Sequence, residues 1–446
     1  MDFEEKYKAY SEETRKTHDA RAAWFREARF GMFIHYGLYA IHGMGEWAQL
    51  SECRTISEWE QLASQFRPAP GCTDEWCRLA VEAGAKYAVM TTRHHEGFSL
   101  WDSKVNPFNS MKYCGRDIVA EFVASCRKYG LKIGLYSSLM DWHHPDGWRC
   151  MNDSEARRRF LDYIEALNVE LLSNYGKIDI LWYDMPWPQM SCEQWESVER
   201  NSRLRALQPD ILINNRSRMP EDFYTPEESL NLPPADAVRV EKEGADWEAC
   251  LTFNGISWGY VDTKQVAPYT YSAQRIITTL RKCTEGGGNL LLNIGPAPDG
   301  SVPDEVIQPL RETGRWLRRN AEAIYGRKAR HYEKQVIPNS VTRTVLSTDH
   351  KTLYAFPTIW PSVGKMSFGG LKTVPKRITL LADGRELPFR VIDYRLEMYG
   401  LPETCPDEQG IAVIKLEFDT PVEAAYGCYY PHMTNGADYS DGKGNP

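Results

Sequence analysis

The segment IDILWYDM (178–185) is typical of a strand that is buried on both faces and ends in a carboxylate. Its residues up to Trp182 are almost all apolar, as in parallel sheets that are covered on both sides. Similar segments occur throughout the first 300 residues, and a helical pattern follows each of them: FGMFIHYG (30–37), YAVMTTRHH (87–95), KIGLYSSLMDW (132–142), ILINNR (211–216) and NLLLNIGP (289–296). This part of the chain therefore alternates strands and helices.

The segments between these strands carry apolar residues at the 3.6-residue period of an amphipathic helix. One such stripe begins at Thr73, the predicted N-cap, and ends near Gly84. The ranges 115–130 and 154–176 show the same pattern and also end in glycine. Repeated β-α units over this length favour a (β/α)8 barrel over a doubly wound sheet. No G-x-G-x-x-G turn follows a strand, which disfavours the dinucleotide-binding alternative.

The pattern changes to alternating polar and apolar residues after Gly326. Three segments of this kind, TLYAFPTI (352–359), KRITLLADGREL (376–387) and IAVIKLEFD (411–419), predict antiparallel strands, with Asp383-Gly384 as a hairpin turn. We therefore predict a catalytic (β/α)8-like barrel over residues 1–328 and an all-β sandwich domain over 329–446. The Gly-, Asp- and Asn-rich end of the chain is expected to be a flexible tail.

Composition excludes several classes of function. The net charge is −8, whereas nucleic acids and anionic membranes attract clustered Lys and Arg, so neither is an expected partner. The 11 cysteines show no C-x-x-C pair, which argues against a zinc knuckle and for reduced thiols. The N-terminal residues MDFEEKYKAYSEETRKTH (1–18) lack the basic and apolar regions of a signal peptide, so we expect a cytoplasmic protein.

Reactive side chains lie where the predicted strands end, which in a (β/α)8 barrel is the side of the active site. They are His35, His94, His95, Tyr136, Asp141, His143, His144, Trp182, Asp184, Arg216 and Asn293. Asp184 is the strongest candidate among them, because burying a carboxylate at the end of a strand costs free energy unless it is paired or takes part in the chemistry. His143 and His144 are equally well explained as part of a loop.

Six blocks of sequence together resemble the α-L-fucosidases of glycoside hydrolase family 29. They are RFGMFIHYGLYA with GEW (29–47), AGAKYAVMTTRHHEGFSLWDSK (83–104), GLKIGLYSSLMDWHH (130–144), NYGKIDILWYDM (174–185), SWGY (257–260) and GGNLLLNIGPAPDGSVP (287–303). The resemblance implies a (β/α)8-like barrel followed by a β-sandwich. It also implies a retaining exo-α-L-fucosidase that hydrolyses terminal α-L-fucosides of oligosaccharides or glycoconjugates.

The resemblance also assigns residues to roles. The family nucleophile falls on Asp184, and the general acid/base falls on Glu227 in NNRSRMPEDFYTPEESL (214–230), with Glu228, Glu221 and Glu248 as nearby alternatives. The substrate-binding positions fall on His35, Glu46, Trp47, His94, His95, Tyr136, Trp182, Arg216 and Trp258. No cofactor and no metal are implied, since the reaction needs two carboxyl groups and water.

Two other functions fit parts of this pattern. A metal-dependent barrel hydrolase could use His35, His94, His95 and Asp184 as ligands, although His35-Tyr36-Gly37 is not the His-x-His that often opens such barrels. A non-catalytic fucose-binding protein would keep the pocket without turnover, but both Asp184 and Glu227 are present. The expected partner is a molecule that carries terminal L-fucose; the linkage, the role of the C-terminal domain and the oligomeric state stay open.

Overall fold

The computed structural model describes residues 2–184, 190–231, 234–264, 268–330 and 342–424. It groups the chain into two compact units, one of Met1–Cys283 with Gly288–Arg315 and one of Thr284–Gly287 with Trp316–Pro446. The predicted domain boundary between residues 328 and 329 lies C-terminal to the change of unit between Arg315 and Trp316. It stays a prediction. The predicted flexible tail, from Thr434 onward, lies outside the described residues. Among the described helices, none is both long and apolar enough to cross a membrane.

Eight parallel strands form the sheet of the first unit, in the order β5-β4-β3-β2-β1-β8-β7-β6. One parallel bridge between Asn214 and Phe223 connects the two remaining edges, so the sheet closes into a barrel. All six predicted strands are present, and the order excludes a doubly wound sheet. The strands are β1 Phe30–Ile34, β2 Tyr87–Arg93, β3 Lys132–Ser138, β4 Ile180–Asp184, β5 Leu212–Ile213, β6 Phe223–Tyr224, β7 Asp246–Leu251 and β8 Asn289–Ile294.

Helices lie between most of these strands. They are α1 Phe3–Ala28, α2 Tyr39–His42, α3 Ala48–Ser51, α4 Ile56–Ala63, α5 Cys72–Ala83, α6 Ser110–Cys114, α7 Ile118–Tyr129, α8 Ser154–Ser173, α9 Ser197–Leu207, α10 Pro234–Glu243, α11 Ala273–Glu285 and α12 Asp304–Ile324. Short 3₁₀ turns span Arg149–Met151 and Asn215–Ser217. The predicted N-cap at Thr73 is wrong, because α5 begins earlier and its N-cap is Gly71. The predicted ends at Gly84 and Gly130 are confirmed.

Helix α1 closes the end of the barrel at which the strands begin. The ring of Phe25 lies 5.8 Å from that of Tyr87 and 4.8 Å from that of Phe223, which are the first residues of β2 and β6. Ala22 and Ala28 are buried in the same apolar cluster. The opposite end, where the strands finish, is therefore the end at which a pocket can open.

The second unit contains two antiparallel sheets that share one apolar core. The strands are β9 Lys328–Ala329, β10 Thr342–Ser347, β11 Thr352–Pro357, β12 Lys365–Phe368, β13 Arg377–Leu380, β14 Phe389–Ile392, β15 Arg395–Tyr399 and β16 Ile414–Glu417. Five of them form a sheet in the order β13-β16-β11-β10-β9, and three form one in the order β12-β15-β14. Leu353 and Ile378 of the first sheet are buried in one cluster with Phe368 and Leu396 of the second. This arrangement confirms the predicted C-terminal β-sandwich.

Candidate active site

A cavity of about 250 Å³ opens among the ends of the barrel strands. It is lined by Phe33, His35, Trp47, His94, His95, Tyr136, Trp182, Asp184, Arg216, Glu227, Cys250 and Trp258. Every predicted site residue except Glu46 is in this set, and the sequence did not point to Phe33 and Cys250. The barrel thus brings together side chains from distant parts of the chain, as the strand-end argument predicted.

Asp184, the last residue of β4, is held as an anion in this cavity. Tyr136 donates its hydroxyl to Oδ2 at 2.8 Å, and Arg216 donates Nη1 to Oδ1 at 2.7 Å. His95 Nε2 lies 3.4 Å from Oδ2. Burial alone would raise the pKa of Asp184, but the charge of Arg216 and the hydrogen bond from Tyr136 lower it to about 2. The carboxylate is therefore ionised and ready to act as a nucleophile near neutral pH.

Arg216 connects Asp184 to the second predicted catalytic carboxylate. Its Nη2 donates to Glu227 Oε2 at 2.6 Å, while its Nε donates to Thr225 Oγ1 at 3.0 Å. The guanidinium carbon lies 4.7 Å from the centre of the Trp182 ring, a cation–π distance. The Glu227 side chain is 45% exposed, so it can reach an incoming molecule at the mouth of the cavity.

The three alternative glutamates have other surroundings. Glu228 accepts the backbone N–H of Thr252 at 2.6 Å. Glu221 accepts hydrogen bonds from Tyr10, Asn201 and Arg205, outside the cavity. Glu248 is fully buried in the barrel interior and accepts the indole N–H of Trp182 at 3.0 Å. Only Glu227 among the four lines the cavity.

His35 follows β1 and is oriented by Asn293 of β8. The amide nitrogen of Asn293 donates to the carbonyl oxygen of Trp258 at 2.6 Å, which leaves Asn293 Oδ1 as the acceptor for His35 Nδ1 at 2.7 Å. Burial lowers the pKa of His35 to about 3, so the ring is neutral at pH 7. Because Nδ1 carries the proton, Nε2 is left as a hydrogen-bond acceptor.

His95 is oriented in the same way by Ser138. The Ser138 hydroxyl donates to the carbonyl oxygen of Met140 at 2.7 Å, so His95 Nδ1 donates to Ser138 Oγ at 2.6 Å. Burial lowers the pKa of His95 to about 4 and that of its neighbour His94 well below the usual range. The His94 ring stacks on Tyr136 with a centroid distance of 5.7 Å. The cavity thus presents neutral imidazoles, which bind hydroxyl groups well.

Glu46 supports the aromatic wall instead of lining the cavity. Its Oε2 accepts the backbone N–H groups of Trp258 and Gly259 at 2.9 and 2.8 Å, and the hydroxyl of Ser257. Gly259 is required there, because a Cβ would lie 2.6 Å from the Tyr39 ring. The structure therefore places Glu46 behind Trp258, where it holds the S-W-G-Y segment in place.

His143 and His144 lie outside the cavity. His143 contacts Glu60 at 2.8 Å and stacks on Phe108 with a centroid distance of 4.3 Å. His144 Nδ1 accepts the backbone N–H of Asp146 at 3.1 Å. Both histidines therefore make structural contacts in the loop after β3, which favours their interpretation as part of that loop.

Comparison with known proteins identifies the family. The family model for α-L-fucosidase matches residues 2–322, which is most of the chain. The chain belongs to the α-L-fucosidase family. It is 29% identical to tissue α-L-fucosidase of Mus musculus, a match that covers 89% of this chain and 90% of the mouse protein. The human tissue enzyme is also 29% identical, with 86% of each chain covered.

Solved α-L-fucosidase structures share the fold. α-L-fucosidase isoenzyme 1 from Paenibacillus thiaminolyticus is 32% identical with a TM-score of 0.80, and the match covers 90% of this chain and 100% of that one. A family 29 α-L-fucosidase from Bacteroides thetaiotaomicron is 28% identical with a TM-score of 0.78, covering 92% and 96%. The predicted family, the fold class and the assignment to the glycoside hydrolases are thereby confirmed.

A metal-binding interpretation of this family member has one observation in its favour. Ligand atoms of His94, His95 and Asp184 lie within 4.8 Å of one another. His35, the fourth predicted ligand, is not part of this cluster. Asp184 is already bound by the positive guanidinium of Arg216, which would repel a cation at the same carboxylate. The donor set thus fits an ionised nucleophile better than a metal centre.

Proposed function

We propose that this chain is a retaining exo-α-L-fucosidase that hydrolyses terminal α-L-fucosides of oligosaccharides or glycoconjugates by double displacement. The observation that carries the proposal is that Asp184 and Glu227 bind the two terminal nitrogens of one guanidinium, that of Arg216, at the same cavity. Retaining glycosidases use two carboxyl groups about 5–5.5 Å apart, one as nucleophile and one as acid/base. A crystal structure of a related Bacteroides thetaiotaomicron α-L-fucosidase, 27% identical, traps a covalent intermediate with 2-fluoro-fucosyl fluoride.

In the first step, Asp184 attacks the anomeric carbon of fucose from the face opposite the leaving group. The bond from that carbon to the glycosidic oxygen breaks, and protonated Glu227 gives its proton to the departing oxygen. The product is a fucosyl ester on Asp184 with β configuration. Tyr136 and Arg216 hold one carboxylate oxygen each, which fixes the orientation of the nucleophile.

In the second step, ionised Glu227 removes a proton from a water molecule that enters from the side the leaving group has vacated. The water oxygen attacks the anomeric carbon, the bond to Asp184 breaks, and α-L-fucose is released with the original configuration. The partly exposed position of Glu227 suits this exchange, because both the leaving group and the water arrive from outside the cavity.

Recognition of the sugar is the proposed role of the remaining lining residues. The neutral Nε2 atoms of His35 and His95 accept hydrogen bonds from ring hydroxyls. Aromatic rings of Trp47, Trp182 and Trp258 supply apolar surface for the C6 methyl group and the ring carbons. The cavity, at about 250 Å³, is smaller than the roughly 300–1,000 Å³ of sites for drug-sized ligands, which supports binding of one terminal sugar.

Turnover of an aryl α-L-fucoside by the purified protein tests this function against both alternatives. We expect hydrolysis with α-L-fucose as the first product, observed by NMR before mutarotation. Binding without turnover would favour a fucose-binding protein. Activity that is lost on chelation and restored by a metal would favour a metal-dependent hydrolase that uses His94, His95 and Asp184.

A further inference from the structure

We propose that Glu248, a buried carboxylate that does not line the cavity, is a positioning residue that holds Trp182 beneath Arg216 and so aligns the guanidinium between Asp184 and Glu227. The inference rests on the proposed function and deepens it, because it adds a residue to the machinery of the same reaction. It is carried by the chain of contacts that runs from the barrel interior to the cavity.

The carboxyl group of Glu248 is bound on both of its oxygens. Glu248 lies in β7, is fully buried, and accepts one hydrogen bond on each carboxyl oxygen. Trp182 of β4 donates its indole N–H to Oε1 at 3.0 Å, and Tyr87 of β2 donates its hydroxyl to Oε2. The Tyr87 oxygen in turn lies 3.4 Å from the amide nitrogen of Asn289 in β8. Glu248 thus links strands across the interior of the barrel.

Trp182 contacts Tyr136 and Arg216 through the faces of its ring. Its ring stacks on Tyr136 with a centroid distance of 5.7 Å and an angle of 16°. Arg216 lies over the same ring at 4.7 Å. Tyr136 and Arg216 both donate hydrogen bonds to Asp184. The indole is therefore in contact with two groups that orient the nucleophile, and its own N–H is fixed by Glu248.

A carboxylate at this buried position carries a free-energy cost. An apolar side chain would suit the barrel interior better, because burying a charge costs several kcal/mol unless its partners compensate. The ladders of β7 with β6 and β8 do not depend on this side chain. What the carboxylate adds is a charge-assisted bond to one indole N–H, which is stronger and more directional than a neutral one.

The ionisable groups around Glu248 allow this role to be measured by pH. Tyr87 faces it from β2, Arg216 from the turn after β5, Cys250 from β7 and Cys283 from α11. Burial raises the pKa of Glu248 to about 7, and Tyr87, Trp182 and Arg216 offset part of that effect. The carboxylate form, which binds the indole more strongly, therefore prevails above pH 7 and is lost below it.

The test compares wild type with Glu248→Gln, whose amide retains an acceptor for Trp182. We expect kcat/KM on an aryl α-L-fucoside to fall about tenfold above pH 7, with most of the loss in kcat. In wild type kcat/KM should fall by the same factor as the pH drops through 7 and then level off, and this step should be absent in the variant. Glu170→Gln is the matched control. Glu170 accepts the indole N–H of Trp101 with a donor–acceptor distance of 2.9 Å, and this pair lies outside the cavity.

A second readout does not depend on turnover. In protein labelled with ¹⁵N-tryptophan, the Trp182 indole resonance, assigned by its absence in Trp182→Phe, should shift with a midpoint near pH 7 in wild type. It should not titrate in Glu248→Gln. If wild type hydrolyses fucosides while Glu248→Gln keeps its kcat/KM and its pH step, the inference is overturned and the proposed function stands. If the wild-type protein shows no turnover, the proposed function is wrong. If the wild-type Trp182 resonance does not change with pH, the inference is overturned.

Discussion

Replacing Arg216 by methionine should move the ionisation of Asp184 into a range that an activity assay can follow. Methionine keeps much of the length and apolar surface of the side chain but removes the charge that binds both Asp184 and Glu227. The pKa of Asp184 is lowered from 3.8 to about 2 although burial opposes that shift, and Arg216 is the largest favourable contribution. One pKa unit corresponds to 1.36 kcal/mol, so the drop from 3.8 to about 2 stabilises the anion by about 2.5 kcal/mol, and Arg216 is its main source.

The sign of the effect follows from the role of Asp184 as an anion. Activity disappears as the pH falls through the pKa of the nucleophile, and removal of Arg216 raises that pKa, because Arg216 is the largest of the contributions that lower it. In wild type we expect no loss from Asp184 within the range in which the protein is folded. In Arg216→Met we expect kcat/KM to fall tenfold per pH unit on the acid side of its pH profile. This fall should continue without levelling off, unlike the wild-type step that is assigned to Glu248.

The assay is kcat/KM for 2-chloro-4-nitrophenyl α-L-fucoside against pH, with a thermal melt at each pH to confirm that the variant is folded. Arg203→Met is the control, because Arg203 pairs with Glu165 on the surface. A profile for Arg216→Met whose acid limb coincides with that of wild type would mean that Arg216 does not set the ionisation of Asp184.

Three further predictions follow from the same geometry. Glu227→Ala should slow hydrolysis most for substrates with basic leaving groups, and azide should restore turnover with an α-fucosyl azide product; azide rescue in Glu228→Ala instead would move the acid/base role to Glu228. His35→Ala should raise the activation free energy for kcat/KM by about 1–3 kcal/mol, with the melting temperature nearly unchanged. His143→Ala, outside the cavity, should match wild type. Unfolding of the His35 variant would show that His35 has a structural role. Dialysis against a strong chelator should leave activity intact, and a stoichiometric metal at His94 and His95 would contradict the mechanism.

Six barrel strands could be predicted from the sequence because burial on both faces leaves nearly continuous apolar runs. Strands β6 and β7 could not. Only Phe223 and Tyr224 form β6, and β7, DWEACL, is interrupted by Asp246 and Glu248. An inward-facing carboxylate breaks the apolar pattern, and only the folded barrel shows that Trp182 and Tyr87 satisfy it.

The candidate site was predictable to a similar degree. Ten of the eleven site residues that the resemblance assigns line the cavity, because strand ends meet at one end of a barrel. The position of Glu46 behind Trp258 and the orientation of His35 by Asn293 depend on contacts between residues more than 200 positions apart. No local pattern encodes such contacts, because they arise only when the barrel closes.

Covalent labelling provides a direct test of Asp184 as the nucleophile. We predict that 2-fluoro-fucosyl fluoride adds one fucosyl group to the wild-type protein and that mass spectrometry of the digest places it on Asp184. Asp184→Gly should take up no label while it keeps the wild-type melting behaviour. A label on a peptide that lacks Asp184, or an equal label in the variant, would contradict the account.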